Sequence, residues 1–386
     1  MNDYKDISNY LNPHFDKLIS YKLLRGLDKA VNRIIKAIYE KEKILIYGDY
    51  DVDGMTSIAL LYSILKKHTP DVYYYIPDRT EEGYGLSETG MNFIIKYKIT
   101  LMITVDCGIT SFHEIKKLNN LKIDTIITDH HQPLEEKPDA FTIINPKCCD
   151  YPFKELAGVG VAFKLAQALS FELEGNDNDV KQNLDLVALG TIADSVPLLN
   201  ENRIFVKEGL LQLISNNKKG LKILLQKIQN NKKKTEVMSV KELSFELIPV
   251  LNATGRIGNP NYAVDLFLTE SSYMANHLAE EMIKLNEERK TITQKILLEA
   301  RKIVKGNTFG DNQKILVLSS NNWHPGIIGI IASRIMEEFG KPAMIISTCN
   351  GNGKGSGRNQ GEFDFSEILA ECSELLEKYG GHKYAA

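Results

Sequence analysis

Acidic and imidazole side chains recur in this chain at the ends of apolar runs, and the densest instance is Asp129-His130-His131, which closes the run Asp124-Thr-Ile-Ile-Thr. An acid and two imidazoles side by side are costly to place where a strand emerges unless a metal ion or an anion occupies the site. Three further clusters repeat the pattern. Residues 44–47 lead into Gly48-Asp49-Tyr50-Asp51-Val52-Asp53-Gly54, residues 101–105 into Asp106-Cys107-Gly108, and residues 185–193 into Asp194. Carboxylates that converge without a cation repel and raise one another's pKa, so a group of four or more with one histidine implies bound divalent metal. Hard oxygen ligands with a single imidazole favour Mn²⁺ or Mg²⁺ over Zn²⁺, which more often recruits cysteine or several histidines. Asp51 and Asp53 stand one residue apart and are followed by Gly54, so a tight strand-to-helix turn can aim both carboxylates into one cleft. An Asp-Gly cluster alone is also common in plain turns; the weight of the reading lies in four clusters recurring in chain order.

The elements that must position these groups follow from periodicity. Short β-branched runs at 43–47, 72–76, 101–105, 125–128 and 141–144 alternate with amphipathic stretches at 56–67, 87–97 and 112–121. Such alternation predicts βα units and a mostly parallel sheet. Ligands of such sheets bind beyond the carboxyl ends of the strands, where Asp51, Asp53, Asp106 and residues 129–131 all fall. Residues 157–225 read as helices, including 157–173 and 183–193, and Asp194 at the end of the latter can turn back to the same rim. Apolar residues at helical spacing over 272–305 predict one long helix joining two domains, after which the βα pattern restarts at 314–318, 327–339 and 343–347.

Composition sets outer limits. The 386 residues are 43% hydrophobic and 25% charged, the balance of a globular protein too long for one ordinary core. No window approaches the roughly 18 uninterrupted apolar residues of a membrane span, and the first residues carry no apolar signal region, so a cytoplasmic protein without a membrane partner is expected. The five cysteines form no C-x-x-C pair and read as reduced thiols, with Cys107 left out of the ligand set. A net charge of −3 argues against a wholly basic nucleic-acid coat, although a groove can be positive while the remainder is acidic. The Lys/Asn-rich stretch 216–234, with Lys232-Lys233-Lys234, reads as a solvated face in preference to a DNA-binding patch.

Nine segments in fixed order resemble the DHH phosphoesterase superfamily, and within it the RecJ-type single-strand-specific 5′ exonucleases: GDYDVDG at 48–54, IPDRTEEGYG at 76–85, VDCG at 105–108, TDHHQP at 128–133, ALGTIADSVPL at 188–198, NATGRIGNP at 252–260, WHPGIIGIIASR at 323–334, GSGR at 355–358 and GGHKYAA at 380–386. The resemblance implies an α/β protein: a parallel-sheet DHH catalytic domain over 1–270, a long connecting helix over 271–306, and a smaller α/β DHH-associated domain over 307–386 that is incomplete at its C-terminal end. It implies a hydrolase that cuts phosphodiester bonds from the 5′ end of single-stranded DNA to give mononucleotides, in DNA repair and recombination, with two divalent cations, Mn²⁺ or Mg²⁺. The family's metal ligands carry over to Asp51, Asp53, Asp106, His130 and Asp194, with Asp106 bridging; His131 is expected to face the scissile phosphate, and Asp49, an acid adjacent to the ligands, is counted with His131 as catalytic. Where the superfamily's pyrophosphatases have a further histidine ligand, this chain has Tyr47, which implies a poorer and weaker metal site and counts against pyrophosphatase activity.

Arg79, Arg256 and Arg358, each beside a glycine-containing turn, fall with Ser356 and His382 where the family holds the 5′-phosphorylated end. The glycine run 351–357 suits an anion nest over a plain flexible hairpin, and Trp323 suits either a core or a stacked base. A single-strand-binding protein or a helicase is an implied partner. Two rivals remain: a superfamily phosphodiesterase acting on short oligonucleotides or cyclic dinucleotides, and a non-catalytic DNA-binding scaffold, which tends to lose ligands that this chain keeps. In the family the last signature leads into a further helix and an oligonucleotide-binding barrel, so the expectation is a catalytic core with weak affinity for long strands and a poorly ordered segment beyond about Tyr379.

Overall fold

The computed structural model describes residues 10–215, 218–229, 238–306, 314–349, 351–361, 363–377, 379–381 and 384–386. Packing divides the chain into two compact units, Met1–Ile283 and Lys284–Ala386.

In the first unit, five strands, β1 (Ile44–Gly48), β2 (Val72–Tyr75), β3 (Leu101–Val105), β4 (Asp124–Thr128) and β5 (Thr142–Ile144), form a wholly parallel sheet in the order β2-β1-β3-β4-β5. Every residue of β1 and β3 is buried, as their unbroken apolar runs require of strands covered on both faces. One face packs against α1 (Leu27–Tyr39) and α2 (Val52–Leu65), together with α5 (Gly158–Glu174) and α6 (Leu184–Ala193). The other packs Leu45, Tyr47, Met102 and Ile127 against α3 (Glu88–Tyr97) and α4 (Phe112–Asn120). α1 shows why such helices form: Leu27, Ala30, Val31, Ile34 and Ala37 make one buried stripe at spacings of three and four.

Register then fixes where the chemistry falls. Gly48 lies level with Val105, and Val105 with Thr128, so the residues that follow β1, β3 and β4 emerge at one rim. The strand order reverses between β1 and β3, the position at which neighbouring connections diverge and leave a crevice. Further helices, α7 (Asn200–Ser215), α8 (Lys219–Ile228), α9 (Ile248–Ile257) and α10 (Asn261–Leu268), complete this unit. Among them lies a fully buried ion pair, Lys164 Nζ to Glu201 Oε1 at 2.6 Å. Glu201 also accepts the Tyr151 hydroxyl at 2.7 Å and the Ile19 N–H at 2.9 Å, while Lys164 donates to the Ile19 carbonyl at 2.7 Å.

The long helix α11 runs from Ser272 to Gly306, and the boundary between the two units falls inside it, after Ile283. In the second unit β6 (Leu316–Ser320) and β7 (Ala343–Cys349) are parallel, and β8 (Asn352–Arg358) is antiparallel to β7. Helix α12 (Ile328–Phe339) connects β6 to β7. The expected anion nest at 351–357 is instead an antiparallel strand: its backbone pairs with β7, and Gly357 and Asn359 donate to the carbonyls of Ala386 and Tyr384. Of the segment expected to be poorly ordered, residues 384–386 thus pair along β8, and His382 lies outside the described residues. The Lys232-Lys233-Lys234 run also lies outside them. Trp323 is a core residue, 2% exposed, its indole N–H donating to Glu299 Oε2 at 3.1 Å. No helix among the described residues is long and apolar enough to cross a membrane.

Candidate metal centre

The turn from β1 into α2 is built around its own carboxylates. Asp51 is the N-cap of α2, its Oδ1 accepting the N–H groups of Asp53 at 2.9 Å and Gly54 at 3.1 Å. A Cβ at Gly54 would lie 2.4 Å from the Asp49 carbonyl oxygen, so only glycine lets the turn close. Asp53, in the first turn, reaches across to the start of α5, where its two oxygens accept the N–H groups of Gly158 at 2.7 Å and Val159 at 2.8 Å. Asp106 follows β3 with φ +60°, a left-handed conformation rare for a residue with a side chain. Asp194 is the C-cap of α6.

After β4, Asp129 is fully buried and points back into the structure. Its Oδ1 accepts the N–H groups of His130 at 2.7 Å and His131 at 3.0 Å, its Oδ2 that of Ile109 at 2.9 Å, and His131 Nδ1 stands 2.8 Å from Oδ1. Burial pushes the Asp129 carboxyl up, but the His131 ring and these N–H groups overcome it and hold the carboxyl down at about 2. His130 Nε2 turns the other way, lying 3.2 Å from Asp106 Oδ1, 3.6 Å from Asp194 Oδ2 and 4.0 Å from Asp53 Oδ2.

Three overlapping groups of potential ligand atoms result, each spanning less than 4.8 Å: Asp53, His130 and Asp194; Asp49, Asp51 and Asp106; and Asp106, His130 and His131. Asp106 and His130 each belong to two of them. The structure therefore brings together Asp51, Asp53, Asp106, His130 and Asp194, and it groups Asp49 with the ligand candidates at the Asp51 end. Tyr47 is not among them. Its phenol is buried and engages the loop ahead of α3 from below, donating to the Gly85 carbonyl at 3.1 Å and accepting the Ser87 N–H at 3.2 Å. Cys107 is buried in the apolar layer beneath, its thiol directed at the Tyr47 carbonyl.

Electrostatics test whether a cation fits. Burial, with the neighbouring Asp51 charge, pushes Asp49 up to about 8 and Asp53 up to about 7. Burial, with Asp53 and Asp51, pushes Asp194 up to about 9, and Asp106 is raised well above the carboxylate range for the same reasons. Asp49 Oδ1, Asp106 Oδ1 and Asp194 Oδ2 are buried yet accept no hydrogen bond. Buried carboxylate oxygens with no donor, clustered around one imidazole, fit hard divalent cations, and no cysteine joins any group. His131, a member of the third group, behaves differently: burial lowers its pKa, but the Asp129 carboxylate prevails and raises it to about 9, leaving the ring cationic at neutral pH.

The loop between β2 and α3 is folded around Glu82, which accepts the Asp78 N–H at 2.7 Å, the Tyr75 hydroxyl at 2.8 Å and the Ser87 hydroxyl. It carries Arg79, whose guanidinium lies over the Tyr50 ring at 4.7 Å. Arg256, near the end of α9, acts with Arg79 to offset the raised pKa that burial gives Tyr50. A Cβ at Gly255 would lie 1.9 Å from the Tyr50 carbonyl oxygen, which brings α9 hard against the acidic turn. In the second unit Arg358 Nη1 donates to Ser356 Oγ at 3.0 Å, and both side chains lie against Gly329 in the first turn of α12. Residue type and spacing mark Asp129 as part of the strand-end triplet but not as the group that orients His131, and they leave Tyr84 as one residue of the 76–85 segment. The signal for Tyr84 was its position between two glycines, both of which have positive φ.

Comparison with known proteins agrees with this geometry. The family model "DHH family, N-terminal domain" matches residues 43–191, and "DHHA1 domain" matches residues 312–386. The single-stranded-DNA-specific exonuclease RecJ of Bacillus subtilis is 43% identical over 94% of this chain, which spans 45% of that protein's length. RecJ of Escherichia coli is 35% identical over 96% of this chain and 67% of its own length. A crystal structure of exonuclease RecJ bound to manganese superposes with a TM-score of 0.81 at 34% identity, covering 95% of this chain and 90% of that one.

Proposed function

The chain belongs to the DHH family, in its RecJ branch, and from that premise we propose that it is a metal-dependent exonuclease that hydrolyses single-stranded DNA from the 5′ end to mononucleotides. One observation carries the reading: overlapping groups of buried carboxylates share Asp106 and His130 at the rim where β1, β3 and β4 end. Asp51, Asp53, Asp106, His130 and Asp194, with Asp49, would hold two divalent cations, Mn²⁺ or Mg²⁺. Bound there, the cations would lower the pKa of an attacking water and offset charge on the phosphoryl oxygens. His131, kept cationic and oriented by Asp129, faces the scissile phosphate and either neutralises it or protonates the leaving oxygen.

Phosphate contacts are assigned within each unit by itself: Arg79 and Arg256 at the acidic turn of the first, and Ser356 and Arg358 over the start of α12 in the second, with His382 of that unit's last segment given the same kind of role. The substrate is a strand with a 5′ phosphate, the setting is the cytoplasm, and a single-strand-binding protein or a helicase would deliver the strand.

The test is digestion of a long 5′-phosphorylated single strand and of a dinucleotide, with Mn²⁺ or with a chelator. Mononucleotides released in order from the 5′ end of the long strand, only with metal and not by Asp106→Asn, are the expected result. Cleavage of the dinucleotide alone would reassign the chain to the short-oligonucleotide phosphodiesterases, and strand binding without cleavage would make it a scaffold.

A further inference from the structure

We propose that Tyr84 is a positioning residue of this centre, its hydroxyl tying the His131 ring to the backbone that presents Asp106. The inference deepens the nuclease reading and rests on it. Gly83 at φ +82° and Gly85 at φ +84° bracket the tyrosine, a backbone path that residues with side chains follow at a cost, and the path sends the phenol toward the strand rim. The hydroxyl donates to the Asp106 carbonyl at 3.2 Å and stands 3.1 Å from His131 Nδ1. The two rings meet edge to face, with centroids 5.5 Å apart.

Each contact answers a specific need. Asp106 sits at φ +60°, and a hydrogen bond donated to its carbonyl favours that strained peptide orientation, and with it the aim of a carboxylate common to two ligand groups. At His131, Nδ1 stands 2.8 Å from the Asp129 carboxylate, an acceptor, so Nδ1 carries a proton toward it. The Tyr84 oxygen, with its own proton directed to Asp106, presents a lone pair to the same edge of the ring. Held at Nδ1 by both groups, the ring keeps one orientation, with Nε2 turned away from Asp129. Tyr84 as a residue is 46% exposed, so contact with a bound base is the competing role, and the hydroxyl must be removed without removing the ring.

Tyr84→Phe does this. The variant and the wild type are compared for kcat and KM on a 5′-phosphorylated single strand with Mn²⁺, and for Mn²⁺ binding by calorimetry without DNA. Expected are a fall in kcat of about tenfold with KM changed by less than about twofold, and Mn²⁺ binding weakened about threefold, at an unchanged melting temperature. In a His131→Ala background the same substitution should cost about threefold or less in kcat, because part of its effect acts through the ring. Wild-type kcat and Mn²⁺ affinity in Tyr84→Phe would overturn the proposal, as would a loss confined to KM, the mark of a substrate contact. A wild type that binds Mn²⁺ but cuts no strand would instead refute the nuclease reading, and the binding comparison would then decide the role of Tyr84 alone.

Discussion

Asp53 accepts the backbone N–H of Gly158 at 2.7 Å, so a carboxylate of the metal centre is also the cap of helix α5. The helix is drawn in so far that a Cβ at Gly158 would lie 2.6 Å from Asp106 Oδ1. Ligand geometry and helix packing are thus one constraint.

Gly158→Ala should therefore damage both. The added methyl must displace either Asp106 or the start of α5, and overpacking of this kind costs about 1–3 kcal/mol. Denaturant unfolding should show that loss, and calorimetry should show Mn²⁺ binding weakened by about tenfold or more. Unaltered Mn²⁺ affinity would mean that α5 does not set the ligand positions.

The pH dependence of the metal-free protein follows from the same carboxylates. Asp49 at about 8, Asp53 at about 7 and Asp194 at about 9 all lie above their unfolded values of about 4. The folded state thus holds more protons than the unfolded chain across that window, and stability falls as pH rises through it. His131, raised to about 9, adds to the same slope above its unfolded value of about 6.5, whereas Asp129, held at about 2, removes stability only as pH falls below about 4. With a chelator present, unfolding should be easier at pH 9 than at pH 6. Saturating Mn²⁺, which competes with protons for these oxygens, should reverse the trend. A metal-free protein that gains stability over this range would contradict the assigned burial of the site.

Arg358→Ala should erase the preference for phosphorylated ends. A guanidinium at a helix start makes a charge-assisted contact that a surface arginine does not, so cleavage of 5′-phosphorylated strands should fall by about tenfold or more while 5′-hydroxyl strands change little. Equal losses on both ends would give Arg358 a structural role.

The buried pair remote from the rim gives a control of opposite kind. Lys164→Ala leaves Glu201 charged and enclosed, which costs about 3–5 kcal/mol. Lys164→Met with Glu201→Leu removes both charges and should unfold at a denaturant concentration closer to wild type than the single variant, although Tyr151 and Ile19 lose a partner. kcat of the folded fraction should be unchanged in both. A single variant as stable as wild type would show that Glu201 is solvated after all.

Much of the architecture could be read from the chain because sheet burial writes itself into apolar runs: β1, β3 and β4 begin and end within a residue of the positions that periodicity gives. Their level ends then bring Asp51, Asp53, Asp106 and His130 to one rim, and Asp194 joins them from the end of α6. Three features were hidden because they depend on hydrogen bonding and pairing that residue type and spacing do not reveal. The run before Arg358 alternates glycine with Asn352, Lys354 and Ser356 and so shows no apolar face, and only its pairing with β7 makes it a strand. Asp129 belongs to the strand-end triplet by sequence, and only its four hydrogen bonds show that it turns inward and orients His131. Tyr84 gains its meaning from Asp106 and His131, 22 and 47 residues away.

Tyr47 has a consequence for timescale. Because its buried phenol grips Gly85 and Ser87 from within the sheet, the loop that carries Arg79 and Tyr84 cannot lift away by surface fraying alone; release requires exposing a side chain that is wholly enclosed. Segments fastened in this way open with the core and not ahead of it. Amide exchange at Ser87 should accordingly be as slow as that of β1, and the loop that carries Arg79 and Tyr84 should stay in place for as long as the core does.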